Sequence, residues 1–247
     1  MLAAIGAGLF VALLALAYLF ASGMLHETDT GIVLPENTQN TPIVNVGGQL
    51  MTAQSVADVE IGLENARGVI ESLARPREYS CKIRNTLYYT GGSSALECRQ
   101  YVHGDAVRTD TLSVSGALQS TLLRQGDTVY AWDTGDNTPH EGSWGDFSND
   151  AAAMLPTYED TLAEGVQLTD AGREDVEGEP CIRVSFEQGG YRCVYYISAA
   201  SGLLKTARFY SGETLTREVT VSELKIEPPD EELFSLPDGR SVLGEEP

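Results

Sequence analysis

Four cysteines, Cys81, Cys98, Cys181 and Cys193, are the most reactive side chains of this 247-residue sequence, and their number is even. Each couple, Cys81 with Cys98 and Cys181 with Cys193, lies in a stretch that reads as a β-hairpin. The spacing therefore predicts two local disulfides and an oxidising compartment, although four cysteines allow three connectivities. A zinc site matches less well, because such sites use tight CxxC knuckles and the intervals here are 17 and 12 positions. Buried free thiols are the other alternative.

The remaining candidates for chemistry are scattered. His26 follows the first apolar segment, His103 precedes Gly104, and His140 lies in an acidic loop, so a His-based triad or metal centre would need distant residues to converge. No GxSxG, HExxH, P-loop or Rossmann glycine pattern occurs. Asp133, Asp136, Asn137, Glu141 and Asp146, with Gly135 and Gly142, group oxygen ligands that suit calcium, but they lack the EF-hand spacing and its closing acid; a solvated loop is the simpler reading. Paired carboxylates are numerous because acids are numerous. No catalytic residue, cofactor or resident metal is expected, and the chain is read as a non-enzyme.

With 16 Lys and Arg against 36 Asp and Glu, the formal net charge is -20. Such a field repels nucleic acid and anionic headgroups, which excludes a nucleic-acid function, and serves the solubility of an exported surface. Residues 2–25 form a run of 24 without one charged side chain. As a helix at 1.5 Å per residue this run is about 36 Å long, enough to cross a hydrocarbon core of about 30 Å. Residues 1–25 therefore read as an uncleaved single-pass anchor in the cell membrane, although Ala21, Ser22 and Gly23 could serve a signal peptidase. No Lys or Arg precedes Arg67, so the cysteines carry the orientation and place the rest of the chain outside the cytoplasm.

The elements that would position a site follow. Residues 26–51 read as an extended linker, 52–240 as one domain and 241–247 as an acidic tail. Val56, Val59, Leu63, Ala66, Ile70 and Leu73 recur at helical spacing between Thr52 and Pro76, which predicts an amphipathic helix over 52–75. Beyond Pro76 the period becomes 2, predicting strands over 79–89, 96–103, 107–114, 117–124 and 128–133. Residues 146–164 have helical composition interrupted by Pro156. Strands resume over 166–169, 181–187, 191–198, 205–210 and 215–226. Ile182, Val184 and Phe186 alternate with Arg183, Ser185 and Glu187, so the sheet has an apolar face that must be covered. The expected fold is α+β: a curved antiparallel sheet, an unclosed barrel, wrapped over helices and preceded by a transmembrane helix.

That order of elements, with Val107-Arg108-Thr109-Asp110, the hairpin string Gly126-Asp127-Thr128-Val129-Tyr130-Ala131-Trp132-Asp133 and the closing Leu233-Phe234-Ser235-Leu236-Pro237-Asp238-Gly239, resembles the lipoprotein-carrier superfamily of LolA, LolB and RseB type. The resemblance spans about 52–239. It implies an unclosed barrel enclosing an apolar cavity able to hold an acyl chain, a lipidated protein or an apolar peptide, used as carrier or sensor. On that basis Tyr130, Trp132, Met154, Leu155, Val184, Phe186, Tyr196 and Phe209 are expected to line the cavity, the alternative being that they are ordinary core. The partners implied are the membrane and a lipid or lipidated protein. The rival is a regulatory domain with a filled core that contacts another exported or membrane protein.

Overall fold

Period-2 patterning and glycine turns translate into eleven strands in the computed structural model, which describes residues 59–144 and 155–243. They are β1 (Glu78–Tyr89), β2 (Gly92–His103), β3 (Ala106–Leu112), β4 (Leu118–Gln125), β5 (Thr128–Asp133), β6 (His140–Ser143), β7 (Leu168–Val176), β8 (Glu179–Gln188), β9 (Tyr191–Ser198), β10 (Leu204–Ser211) and β11 (Thr214–Lys225). All pair antiparallel in one sheet of order β6-β5-β4-β3-β2-β1-β11-β10-β9-β8-β7. Two meanders are thus joined where the long first strand pairs with the last, and the outer strands β6 and β7 leave the sheet unclosed.

Helix is scarcer than the sequence predicts. Of the helix expected over 52–75, residues 52–58 lie outside the described region, and α1 covers only Ala66–Ser72. The Asn65 side chain accepts a hydrogen bond from Gly62 N–H (2.9 Å) and donates to the Glu60 carbonyl (2.8 Å), closing a turn that occupies the preceding residues. Such local side-chain bonding competes with helix, and Gly62 is a weak helix former. At the other end Arg75 donates to the carbonyls of Ile70 and Leu73, and its Nε to that of Gly202, tying α1 to the β9–β10 turn. The segment expected to be helical over 146–164 contains, in its described part, one 3-10 turn, Tyr158–Thr161. Thr157 starts it as a capping box, accepting from Glu159 N–H while Asp160 accepts from Thr157 N–H.

Two strand readings also change. β6 is short and acidic and carries no apolar alternation, so in sequence it reads as loop. β7 extends to Val176 through polar residues because an edge strand needs only backbone pairing on one side. Its two-residue link to β8, Glu177 (φ 54°) and Gly178 (φ 81°), has the double positive φ of a tight hairpin. The expected membrane span over 1–25 and the linker lie outside the described residues; among those described, no helix is long and apolar enough to cross a membrane.

Alternation assigns the faces. On the face that bears α1, Ile83, Cys98, Val219, Ala207, Tyr195, Val184 and Phe186 lie in register across six strands and form the main core with Ala66, Val69, Ile70 and Leu73. On the opposite face of β2–β5, Ala106 and Leu123 form a second core with Phe234 and Leu236, flanked by Tyr101, Tyr130 and Trp132. The segment after β11 supplies its cover, so we call this the tail-bearing face.

Candidate functional site

The tail is held by a buried ion pair. On β3, Arg108 Nε donates to Asp110 Oδ1 at 2.8 Å, and the Thr121 hydroxyl of β4 donates to the same oxygen at 2.8 Å. Arg108 Nη1 reaches the Leu233 carbonyl at 2.7 Å, and its guanidinium lies 5.9 Å from the Trp132 ring centre. The Asp230 side chain caps the 3-10 turn Glu231–Phe234 by accepting from Glu232 N–H, and Phe234 is fully buried. The chain then reverses through Pro237-Asp238-Gly239, with Gly239 at φ 87°, and Val242 N–H returns to the Phe234 carbonyl at 2.9 Å. The three strings that carry the superfamily resemblance are therefore one another's packing partners.

On the helix-bearing face, β7–β11 enclose a polar island within the apolar core. Asp160 accepts from the Tyr195 hydroxyl at 3.0 Å, and Tyr195 packs edge-on between Phe186 (5.0 Å) and Phe209 (5.9 Å). Burial raises the Asp160 carboxyl above its ordinary range, against the hydrogen bonds from Thr157 and Tyr195. Burial likewise pushes the Tyr195 phenol well up, helped by the Asp160 charge. Arg217 lies 4.9 Å from the Phe209 ring centre and donates through Nε to Asn85 Oδ1 at 3.0 Å.

Beyond Arg217 and Asn85, the same face continues across β2–β5 with a different lining. Val102, Thr109, Thr111, Leu122 and Val129 are all buried there, with Val107 and Ala131 half-buried beside them. Of the five buried residues, none belongs to the apolar clusters found among the described residues. The described helical segments pack on β8, on β9 and on the tail side of β3. An apolar floor with hydroxyl groups at its centre and a guanidinium and an amide at its border has the chemistry to hold an amphipathic ligand.

The eight side chains expected to line a cavity do not share one face. Leu155, Val184, Phe186 and Phe209 belong to the core under α1, with Val184 and Phe186 fully buried. Tyr130 and Trp132 point to the opposite face, beneath the tail, and Tyr196 packs on that same side with Cys181 and Val194. Met154 lies outside the described residues. The floor residues carry no separate signal in the sequence because β4 and β5 place apolar residues on both faces: Leu122 and Leu123 are adjacent yet point oppositely, and period 2 alone cannot say which is covered.

The cysteines require a correction: all four are buried and none is in a disulfide. Cys181 pairs across the ladder with Ser198 and Cys193 with Phe186, which places the two on opposite faces and several residues apart along the strands. No rotamer can join them. Cys81 and Cys98 share a face but stand diagonally, opposite Gln100 and Ile83. Burial pushes the Cys81 thiol up to about 12, and Cys181 and Cys193 are raised as far. The two described histidines are also apart: His103 stacks on Phe234 at 5.8 Å on the tail-bearing face, whereas His140 is exposed on β6. His26 and Asp146 lie outside the described residues, among which no three potential metal ligands converge.

No family model and no curated protein matches the chain. Among solved structures, an uncharacterized conserved protein from Thermus thermophilus is 14% identical with a TM-score of 0.45, covering 72% of this chain and 90% of its own. A LolA superfamily protein from Nitrosomonas europaea is 13% identical with a TM-score of 0.35, covering 75% and 98%. MucB, solved in complex with MucA(peri), is 18% identical with a TM-score of 0.40, covering 74% of this chain and 59% of MucB.

Proposed function

We propose that this chain is a membrane-tethered, extracytoplasmic binding module for a lipid, a lipidated protein or another apolar ligand, seated on the helix-bearing face of β2–β5. The supporting observation is the floor of Val102, Leu122 and Val129, withdrawn from water beside the hydroxyls of Thr109 and Thr111 and outside both main cores. An acyl chain lies along the three aliphatic residues and its polar end faces the hydroxyls or the Asn85–Arg217 border. Each methylene buried there contributes about 0.8 kcal/mol, so about ten supply the roughly 8 kcal/mol of a micromolar complex before the cost of association. The tether is supported by the uncharged run at 2–25. The location is supported by that run and by the superfamily resemblance, and not by the cysteines.

The rival reading, a regulatory domain that contacts another exported or membrane protein, is favoured by the filled core of the helix-bearing half, where Phe186, Val184 and Ile70 are fully buried. Titration of the purified full chain with a fluorescent fatty acid separates the two. Saturable binding that Leu122→Glu abolishes and Tyr130→Ala, on the opposite face, leaves intact supports the ligand floor. Absence of binding by the wild-type chain sinks it in favour of the protein-contact reading.

A further inference from the structure

Two neighbouring hairpin tips differ in charge from other turns of the sheet. At one end the β2–β3, β4–β5 and β7–β8 turns carry Asp105, Asp127 and Glu177. At the other, the neighbouring hairpins β1–β2 and β3–β4 turn within residues 85–96 and 111–123, and neither stretch contains a single charged side chain in a chain of which 21% is charged. The same two tips carry four of the large apolar side chains that are exposed among the described residues. Val114 is fully exposed (107%), Tyr89 is 61% exposed, and Tyr88 and Leu118 are more than one-third exposed. Leu112 pairs with Glu97 while β2 continues to Gly92, so the β1–β2 tip projects past the last pair of β3.

We infer that these two hairpin tips form a docking surface for the neutral interface of a lipid bilayer. A chain of net charge -20 is repelled by anionic headgroups, and only an uncharged part of its surface can approach a membrane without that cost. Tyrosine suits the headgroup level, where its ring meets the acyl boundary and its hydroxyl stays wet, and Val114 and Leu118 supply apolar area to insert. Glu213 on the β10–β11 turn and Asp133 and Asp136 on the β5–β6 turn flank the tips. They set the preference for zwitterionic over anionic lipid and limit the depth of insertion. Docked in this way, the sheet stands end-on to the bilayer with the turns of Asp105, Asp127 and Glu177 away from it. The surface is independent of whether the β2–β5 floor holds a ligand.

The test uses the full chain with phosphatidylcholine vesicles whose acyl chains are brominated. A single cysteine is placed at the tips by Val114→Cys or at the opposite end by Asp105→Cys, and is labelled with a quenchable fluorophore; the native thiols are buried and do not compete. The label at 114 is expected to lose most of its emission and the label at 105 to keep it. Tyr89→Asp in the Val114→Cys background is expected to restore the emission, and Glu213→Gln to increase binding to vesicles that contain phosphatidylglycerol. Equal quenching at both positions, which an unoriented tethered domain gives, overturns the proposal, and so does quenching at neither.

Discussion

Strands β7–β11 and β1 are covered on one face by a helix that precedes the sheet and a turn that interrupts it, whereas β2–β5 are covered on the other face by a segment that follows the last strand. A single continuous ladder therefore supports two cores of opposite side. The reverse of the first core carries the small buried cluster of Cys181, Val194 and Tyr196 beside ion pairs and ring contacts, such as Arg208 with Glu218 (2.8 Å) and with Tyr196 (5.2 Å). The reverse of the second is the apolar floor that includes Leu122.

The largest effects come from removing the ring at the centre of each core. Phe186→Ala and Phe234→Ala each empty a fully buried site, and each is expected to cost about 3–5 kcal/mol in urea unfolding. Their distribution sharpens the comparison. Hydrogen exchange is expected to show lost protection confined to β3–β5 in Phe234→Ala and to β8–β10 in Phe186→Ala, as for separate cooperative units. Uniform loss across the sheet in both variants contradicts the division into two cores.

Next comes the lock between tail and sheet. Arg108→Ala leaves Asp110 buried without its cation and the Leu233 carbonyl without its donor, and is expected to cost about 3 kcal/mol. Emission from Trp132, which lies beside Arg108, is expected to shift to the red as the tail loosens, while near-ultraviolet signals of Tyr195 in the other core stay unchanged.

What could be read in the sequence follows the same division. The hairpins were legible because glycine turns and period 2 agree, and β5 and β9 have the expected bounds. Facing was legible where one side is polar, as for Ile182, Val184 and Phe186. It is illegible in β4 and β5, which place apolar residues on both faces, so period 2 does not separate Tyr130 and Trp132 from Val129 and Ala131. The tail was read as a motif, but its pairing with Arg108 is a contact across 125 positions that no local pattern encodes. For the cysteines, hairpin membership does not give adjacency: register places Cys181 and Cys193 on opposite faces.

The helix-bearing half has a pH response centred on Asp160. Burial raises the Asp160 pKa above the ordinary 3.8, so the folded state binds the proton more tightly than the unfolded chain. The stability this contributes is fully present below the ordinary value and is lost as pH rises through the raised one. Asp160→Asn keeps an acceptor for Tyr195 and needs no proton. Relative to wild type, its urea midpoint is expected to be higher at pH 7 than at pH 4. A pH-independent difference between the two proteins assigns the role of Asp160 to the hydrogen bond alone.

The smallest expected effect isolates burial from charge pairing, because the tail-bearing face carries two ion networks on neighbouring strands. Glu97 on β2 accepts from Lys82 (2.9 Å) and Arg84 (2.8 Å) in the open, and these bonds, that from Lys82 foremost, hold its carboxyl below the ordinary range. Asp110 on β3 makes its pair beneath the tail. Glu97→Gln is expected to cost less than about 1 kcal/mol and nothing measurable in about 1 M salt, where screening acts within about 3 Å. Asp110→Asn should keep most of its larger cost at that salt, since water and ions do not reach it. If salt removes both losses alike, the tail does not exclude solvent from β3, and the second core is a surface contact rather than an interior.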